Sequence, residues 1–398
     1  MRDVGQMKQV IEAHETAYNE KPDIVVSAPS HMHLIGEHSW FFKDKTLSMA
    51  VNVPVYVALS FRTDGALHFY FAQQKDRKHT ALSTFKFRKE DRWSNALKAI
   101  VYGFTSGGFE MRGMNMTVWS DKSPSLGFGI TTAMKVGAAF AIRAAMSLSC
   151  SDAQLLQVIE RGNKLFLKSG NFLAANYAAL YAKKQHVMLT DYATGAYEAI
   201  PFDFPNKKIL LTDARVQRVT VWNEDVLHQP ENVLLLGELK ERKQNVWGGW
   251  AYEDRPTEVN EVLGVVGEIA RHRLQCVMRE HKYVLDAALA LTRHEFGAFA
   301  RAVNASHKNM RDDYDLSCPE VDWILKRLSM INPNLDDTRN PHSCGRVTGK
   351  GFGRCAYTIL DEDDIPAFRE KLAEYERIFG FHPRCHEIEP ADGVRVVS

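Results

Sequence analysis

Runs of apolar residues divide the N-terminal half of the chain into strands and helices. Residues 47–62 and 67–71 are rich in β-branched and aromatic side chains, which predicts two strands. Residues 131–147 carry Ala and Gly throughout, which predicts a helix that packs closely against its neighbours. The other elements predicted in this half are helices at 5–20 and 95–102, a helix start at 151–154, and strands at 24–27, 114–120, 186–191 and 208–212.

The C-terminal half is predicted to be mainly helical. Its predicted helices are 259–282, 283–291, 295–307, 319–330 and 364–379, and its strands are 356–360 and 394–397. A chain of 398 residues favours two domains, because a single hydrophobic core rarely grows that large. Pro201 and Pro205 interrupt the pattern, so we place the boundary there, between domains 1–205 and 206–398.

Charge and cysteine usage narrow the class of protein. Fifty Lys and Arg residues against 49 Asp and Glu residues favour neither a nucleic-acid nor a membrane partner, and the basic stretch 75–78 favours a solvated turn. The first residues lack the apolar run of a signal peptide, and no stretch approaches a membrane span. The six cysteines form no CxxC pair, which indicates reduced thiols and no zinc site. We expect a cytoplasmic protein.

A glycine-containing segment precedes the Ala-rich helix and is a candidate phosphate-binding loop. Its candidate residues are Gly127, Phe128, Gly129, Ile130, Thr131 and Thr132. Glycines let backbone N–H groups approach an anion, and a helix N-terminus adds donors and a positive dipole end. The segment lacks the lysine of a P-loop, and a plain strand-to-helix turn with a threonine N-cap explains the same residues. Both alternatives stay open.

Several segments, taken in order, resemble the galactokinases of the GHMP small-molecule kinase superfamily. Leu34 to His38 matches the family run Leu-Ile-Gly-Glu-His at every position. Residues 349–355 resemble Gly-Gly-Gly-Phe-Gly-Gly-Cys and keep its glycines at Gly349, Gly351 and Gly353. Residues 306–320 resemble Ser-His-x-Ser-Leu-Arg-Asp-Asp-Tyr-x-Val-Ser-Cys-Pro-Glu. Within them Arg311, Asp312 and Asp313 form either a structural cluster of ion pairs, which we favour, or a catalytic dyad. The resemblance implies a two-domain α+β fold, GHMP-kinase-like, with a ligand cleft between the domains.

Residues 350 and 354 depart from the third family signature. Lys350 and Arg354 stand where the family has glycines. The two cations would either attract an anion or fill part of the pocket, and the residues alone leave both open.

The resemblance also implies which residues contact a sugar. Glu37 and His38 stand at family positions that hold sugar hydroxyls, whereas Trp40 replaces an Asp that does the same. Tryptophan can stack on a sugar face but cannot accept hydroxyl hydrogen bonds as a carboxylate does. Taken alone, Glu37 and His38 are equally compatible with a structural hydrogen-bonded pair at a strand end.

Positions at which the family carries out its chemistry hold other residue types. The resemblance places His31 at the position of an Arg that stabilises the phosphoryl group, and Ala175 at that of the catalytic Asp. It places Ala133 at a magnesium-binding Ser, and Gly137 or, with a one-residue gap, Val136 at a magnesium-binding Glu. We therefore predict no intact catalytic residue and no metal ligand; ATP is a candidate cofactor, whereas Mg²⁺ is doubtful.

Three functional hypotheses follow. The first is a galactokinase-like protein with impaired or absent phosphoryl transfer that binds sugar or nucleotide in a regulatory role, with a protein partner. The second is an active ATP-dependent sugar 1-kinase, on galactose or a related sugar, with a rearranged site. It requires a carboxylate from another segment near Ala175 and Gly137. The third is a structural paralogue that binds neither ligand.

Overall fold

The computed structural model describes residues 2–121, 128–169, 172–216, 264, 267–314, 316–331, 339–348 and 355–398. These residues form two compact units. Unit 1 comprises Met1–Met32, Ala50–Lys184 and Pro390–Ser398, and unit 2 comprises His33–Met49 and Gln185–Glu389. Each unit therefore collects segments that are distant in sequence. The prediction of domains at 1–205 and 206–398 stays a prediction.

Unit 1 contains a mixed β-sheet. Its strands, in spatial order, are β12 (Arg395–Val396), β1 (Ile24–Ile35), β2 (Lys45–Phe61), β5 (Met114–Ser120), β3 (Ala66–Phe71) and β4 (Asp76–Ala81). β3 and β5 pair in parallel with Leu67 opposite Met114, whereas β2 and β5 pair antiparallel with Val57 opposite Val118. Every residue of β1 is buried, including the polar residues that follow its apolar start.

Helices cover this sheet. They are α1 (Arg2–Tyr18), α2 (Ser94–Ser106), α3 (Ile130–Ala145), α4 (Asp152–Arg161), which continues into a π-helical turn (Gly162–Phe166), and α5 (Leu173–Tyr181). α4 begins with a capping box, in which Gln154 N donates to Ser151 Oγ at 3.2 Å and Ser151 N donates to Gln154 Oε1 at 2.9 Å. This confirms the helix start predicted at 151–154.

Unit 2 combines antiparallel strands with long helices. β6 (His186–Asp191) pairs with the first residues of β2 and with β7 (Tyr197–Pro201). A second sheet has the order β11 (Arg384–Ile388), β8 (Lys207–Asp213), β10 (Cys355–Asp361) and β9 (Cys344–Thr348). The helices are α6 (Glu268–Thr292), α7 (Phe296–Asp312), α8 (Pro319–Ser329) and α9 (Ile365–Phe379). Mainly antiparallel sheets with segregated helices confirm the predicted α+β class.

The structure corrects several predicted elements. α6 is continuous across residues 282 and 283, where the sequence predicted two helices, because neither Gly nor Pro interrupts it; the predicted start at 259 lies outside the described residues. The basic stretch turns at Lys75, but the residues after it belong to β4. Four strands lack a strong sequence signal and were not predicted. Three of them, β4, β7 and β11, are short and partly exposed, and the fourth, β9, is only five residues long. Within the described residues no helix is long and apolar enough to cross a membrane.

Candidate functional site

The imidazole of His31 packs directly on Gly129, the residue that caps α3. Gly129 has a φ of 67°, and a Cβ atom added there would lie 2.1 Å from His31 Cε1. A backbone hydrogen bond also links these two segments, in which His31 N donates to Phe128 O at 3.0 Å. Unit 1 thus brings His31, which is predicted to stand at the family's Arg position, against the candidate phosphate loop, and only glycine fits at position 129.

The first turn of α3 shows which loop residues can face a ligand. Phe128 and Ile130 are buried at no more than 1% exposure, so their side chains belong to the core, whereas Thr131 is exposed. The N-cap is Gly129, which has no side chain to cap with, so the alternative of a threonine N-cap is wrong. Gly127 lies outside the described residues. The exposed hydroxyl of Thr131 therefore lies at the positive end of the helix dipole.

The residues that the resemblance predicts at the metal positions of α3 do not fit Mg²⁺. Ala133, Val136 and Gly137 offer no side-chain oxygen, and magnesium requires oxygen ligands. A Cβ atom on Gly137 would lie 3.0 Å from Val57 Cγ2, so this position faces the sheet and has no room for a carboxylate. In the part of the chain that the structure describes, no three His, Cys, Asp or Glu side chains cluster as metal ligands do.

A carboxylate reaches α5 beside Ala175. Ala175 is buried in the first turn of α5, and its neighbour Asn176 is fully buried. Asn176 Nδ2 donates to Glu160 Oε1 on α4. No pattern along the chain indicates Glu160, because it lies 15 residues before Ala175 on a different helix and only the packing of α4 against α5 joins them.

A buried lysine lies in the same group of helices. Lys135 of α3 is 2% exposed, and its ammonium donates to Asn163 Oδ1 at 2.6 Å and lies 4.6 Å from the ring centroid of Phe172. The other polar atom of this amide, Asn163 Nδ2, is buried and has no hydrogen-bond partner among the described residues. The sequence signal for this position is a lysine within an Ala-rich helix. We call Lys135, Glu160, Asn163 and Asn176 the helix cluster.

In unit 2 the Glu37 carboxylate is held by Arg346. Arg346 has no exposed side-chain surface; its Nη1 donates to Glu37 Oε1 at 2.8 Å, and its Nη2 donates to Glu280 Oε1 at 2.8 Å. Its Nε donates to Ser306 Oγ at 2.6 Å, and the same oxygen of Glu280 accepts Gly36 N at 3.2 Å. We call Glu37, Glu280, Ser306 and Arg346 the Glu37 network. The partner of Glu37 among the described residues is therefore Arg346 rather than His38.

The Glu37 network carries one excess negative charge, because two carboxylates share one guanidinium. Burial lowers the pKa of Arg346, but the charges of Glu37 and Glu280 outweigh it and raise this pKa above its ordinary value. The second oxygen, Glu37 Oε2, is buried and accepts no hydrogen bond from any residue that the structure describes. A buried carboxylate oxygen without a donor is an acceptor suited to a ligand hydroxyl.

The turn that follows Ile35 is tightly held. Gly36 has a φ of 86°, and a Cβ atom there would lie 2.8 Å from both Lys45 O and Val284 Cγ2. Thr46 Oγ1 donates to Gly36 O at 2.6 Å. His38 is buried with its ring centroid 5.1 Å from that of Tyr314, and Trp40 is half-buried in a short 3₁₀ turn. Unit 2 thus brings together the predicted sugar-contacting residues Glu37, His38 and Trp40 on one turn and the short helix that follows it.

Residues 349–354, with Gly349, Gly351, Gly353, Lys350 and Arg354, lie outside the described residues. The strands that flank them pair, with Thr348 opposite Cys355. Thr348 Oγ1 donates to His33 O at 3.0 Å, and Tyr357 Oη donates to Leu34 O at 2.9 Å. The described ends of the third signature therefore adjoin the end of β1.

The described residues of segment 306–320 provide structural contacts. Arg311 Nε lies 2.6 Å from Asp312 Oδ1, and Arg279 Nη1 lies 2.5 Å from Asp313 Oδ2. The predicted ion-pair cluster is thus two separate pairs, one of them to α6. Ser306 contributes instead to the Glu37 network.

Comparisons with known proteins agree with these signatures. The galactokinase galactose-binding signature matches residues 12–61. A Treponema pallidum (strain Nichols) protein named "Putative galactokinase" is 32% identical over 399 residues, covering 98% of this chain and 97% of its own length.

Solved structures show the same fold. Galactokinase of Lactococcus lactis complexed with galactose superposes with a TM-score of 0.82 at 17% identity, covering 98% of this chain and 99% of that one. A mevalonate kinase superposes with a TM-score of 0.63 at 14% identity, covering 93% of this chain and 100% of that one. The full-length relative and the matched signature show that this chain belongs to the galactokinase family of the GHMP kinase superfamily.

Proposed function

We propose that this protein binds galactose or a closely related sugar and does not catalyse efficient phosphoryl transfer, acting as a sugar- and nucleotide-binding regulatory member of its family. One contrast carries the proposal. The Glu37 network keeps a buried carboxylate oxygen ready for a hydroxyl, whereas Gly137 faces Val57 and leaves no place for a metal ligand. The predicted sugar-contacting carboxylate is present, whereas the predicted metal ligand is absent.

Nucleotide binding is the part of this proposal that rests on α3. The exposed Thr131 hydroxyl and the positive end of the helix dipole suit a phosphate group. Without metal ligands and without a carboxylate at Ala175, a bound ATP would lack both charge neutralisation and the family's base. We propose ATP as a ligand rather than as a phosphoryl donor.

The proposed setting is the cytoplasm, and the proposed partner of a regulatory role is another protein. The cysteines are all free thiols; five are buried and Cys385 is partly exposed. Such thiols suit a reducing compartment.

Calorimetry and a kinase assay on one preparation test the proposal. We expect galactose to bind the intact protein, and Glu37→Gln to weaken that binding at least tenfold, about 1.4 kcal/mol. Glu387→Gln, which removes a charge from an exposed strand residue, is the matched control and leaves binding unchanged. Turnover of Mg-ATP and a sugar in the ordinary range of about 1–100 s⁻¹ would overturn the loss of phosphoryl transfer.

An active sugar 1-kinase with a rearranged site is the second candidate, and Glu160 favours it. Glu160 contacts the residue next to Ala175, and Lys135 adds a cation to the same helix cluster. If slow transfer is detected, Glu160→Gln should lower it by about 10²–10⁴-fold, the effect of a lost general base. Glu110→Gln, at an exposed loop position, is the control. Equal rates for both variants would exclude Glu160 as the base.

A further inference from the structure

A groove between α7 and α8 of unit 2 has cationic walls. Its volume is about 750 Å³, within the range of small-molecule sites. The basic side chains that line it are Arg301, Lys308, Arg311 and Lys326. Among the lining residues that the structure describes, Asp322 is the single acid. Since the whole chain has a net charge of only +1, this concentration of positive charge is a property of the groove and not of the composition.

The one acid in the lining is already engaged. Asp322 Oδ1 accepts Ser317 Oγ at 2.5 Å and lies 3.4 Å from His307 Nε2. Lys308 and Lys326 are exposed and make no ion pair with any residue in the described ranges. Both lysines thus line the groove without a direct ion pair, and the charge of Lys308 also acts on nearby Asp312.

We propose that this groove binds a small-molecule anion that carries a phosphate group. The ammonium groups of Lys308 and Lys326 can donate to phosphate oxygens, and such charge-assisted hydrogen bonds are the strong ones, whereas the fork of Arg311 is already held by Asp312. Pro319, the first residue of α8, also lines the groove. The side chain of Trp323 gives the anion's non-phosphate part an aromatic surface.

The groove is distinct from the Glu37 network, although both use α7. Arg301, Asn304 and Lys308 lie on the groove side of the helix, at the three- and four-residue spacing of one face. Ser306 and Asn309 lie on another face, where both donate to Glu280. The proposal therefore concerns a second site and does not rest on sugar binding or on phosphoryl transfer.

Calorimetry with inorganic phosphate, galactose 1-phosphate and ADP, each titrated into the intact protein, separates the sources of the phosphate group. The test variant is Lys308→Gln/Lys326→Gln. The matched control is Lys89→Gln/Lys183→Gln, which removes the same charge from exposed lysines outside the groove. Thr131→Val is included, because it alters the α3 end and leaves the groove intact.

We expect at least one probe to bind, and its affinity to fall tenfold or more in Lys308→Gln/Lys326→Gln but not in the control or in Thr131→Val. The affinity should also weaken as salt is raised, because the attraction is electrostatic. Unchanged affinity for every probe in the groove variant overturns the proposal. The proposal is also overturned if only a poly-glutamate peptide binds, since that result assigns the groove to an acidic protein segment. Thermal unfolding of each variant confirms that it is folded.

Discussion

Arg346 and Glu37 form an ion pair with 2.8 Å between Nη1 and Oε1, although 309 residues separate them in sequence. The pair joins the first family signature to the strand that leads into the third. Because the guanidinium also holds Glu280 and Ser306, it fixes the orientation of the carboxylate that we expect to meet a sugar. The proposed sugar binding and the stability of unit 2 therefore depend on the same side chain.

Replacing Arg346 with Met should destabilise the protein by about 3–5 kcal/mol, because it leaves two buried carboxylates without their cation. Chemical denaturation monitored by circular dichroism measures the free energy of unfolding. Arg384→Met, at an exposed strand position, is the matched control, and its change should stay within about 0.5 kcal/mol. A similar small loss for Arg346→Met would show that the pair contributes little.

Gly129→Ala should destabilise the protein more than Gly108→Ala. Both glycines have positive φ, so both substitutions strain the backbone by about 1–2 kcal/mol. A Cβ atom meets the His31 ring only at Gly129, whereas nothing lies within 4 Å of one at Gly108. The difference between the two melting temperatures measures the clash.

His31→Ala should relieve that clash. We expect the double variant His31→Ala/Gly129→Ala to recover part of the stability that Gly129→Ala loses. Strictly additive losses would mean that His31 and Gly129 do not press on each other.

Buried His14 should make stability fall in mild acid. His14 Nδ1 lies 3.0 Å from Thr117 Oγ1 and its Nε2 lies 2.9 Å from Ser60 Oγ. Burial lowers the pKa of His14 from 6.5 to about 4, despite the opposing charges of Glu20 and Asp23. Between these values the unfolded chain binds a proton that the folded protein does not, so the stabilisation is complete above pH 6.5 and is lost on acidification.

The expected loss from this residue is about 3 kcal/mol between pH 7 and pH 4, measured by urea unfolding at each pH. His14→Gln should flatten that part of the profile, even if it lowers stability at pH 7. His342→Gln, at an exposed position, should leave the slope as it is. An unchanged slope in His14→Gln would assign the acid sensitivity to other groups.

Restoring two family residues should not restore a kinase. In Ala175→Asp/His31→Arg the carboxylate and the guanidinium return, but Ala133 and Gly137 still supply no magnesium ligand. We expect the rate of phosphate transfer from Mg-ATP to galactose to stay within about tenfold of that of the parent protein. A restored base in a site with bound metal would instead raise the rate by about 10²–10⁴-fold. Strong recovery of activity would refute the importance of the missing metal ligands.

Local patterns predicted the elements with a strong apolar signal. The strands at 114–120 and 186–191 were predicted with their observed bounds, and the capping residues Ser151 and Gln154 marked the start of α4. The strands that were missed include partly exposed β4, whose alternating exposed residues carry little hydrophobic signal. The candidate loop and the run from Leu34 to His38 were found because their residues are contiguous.

By itself the sequence determined the family and the α+β class, and it predicted the positions where the family's chemical groups are replaced, since these depend on residue identity and local spacing. Tertiary structure alone decided that Arg346 holds Glu37, that His31 packs on Gly129 and that Glu160 reaches Asn176. It also decided that cations of α7 and α8 share one groove. Each of these depends on packing between elements that are distant in sequence, which no periodicity along the chain records.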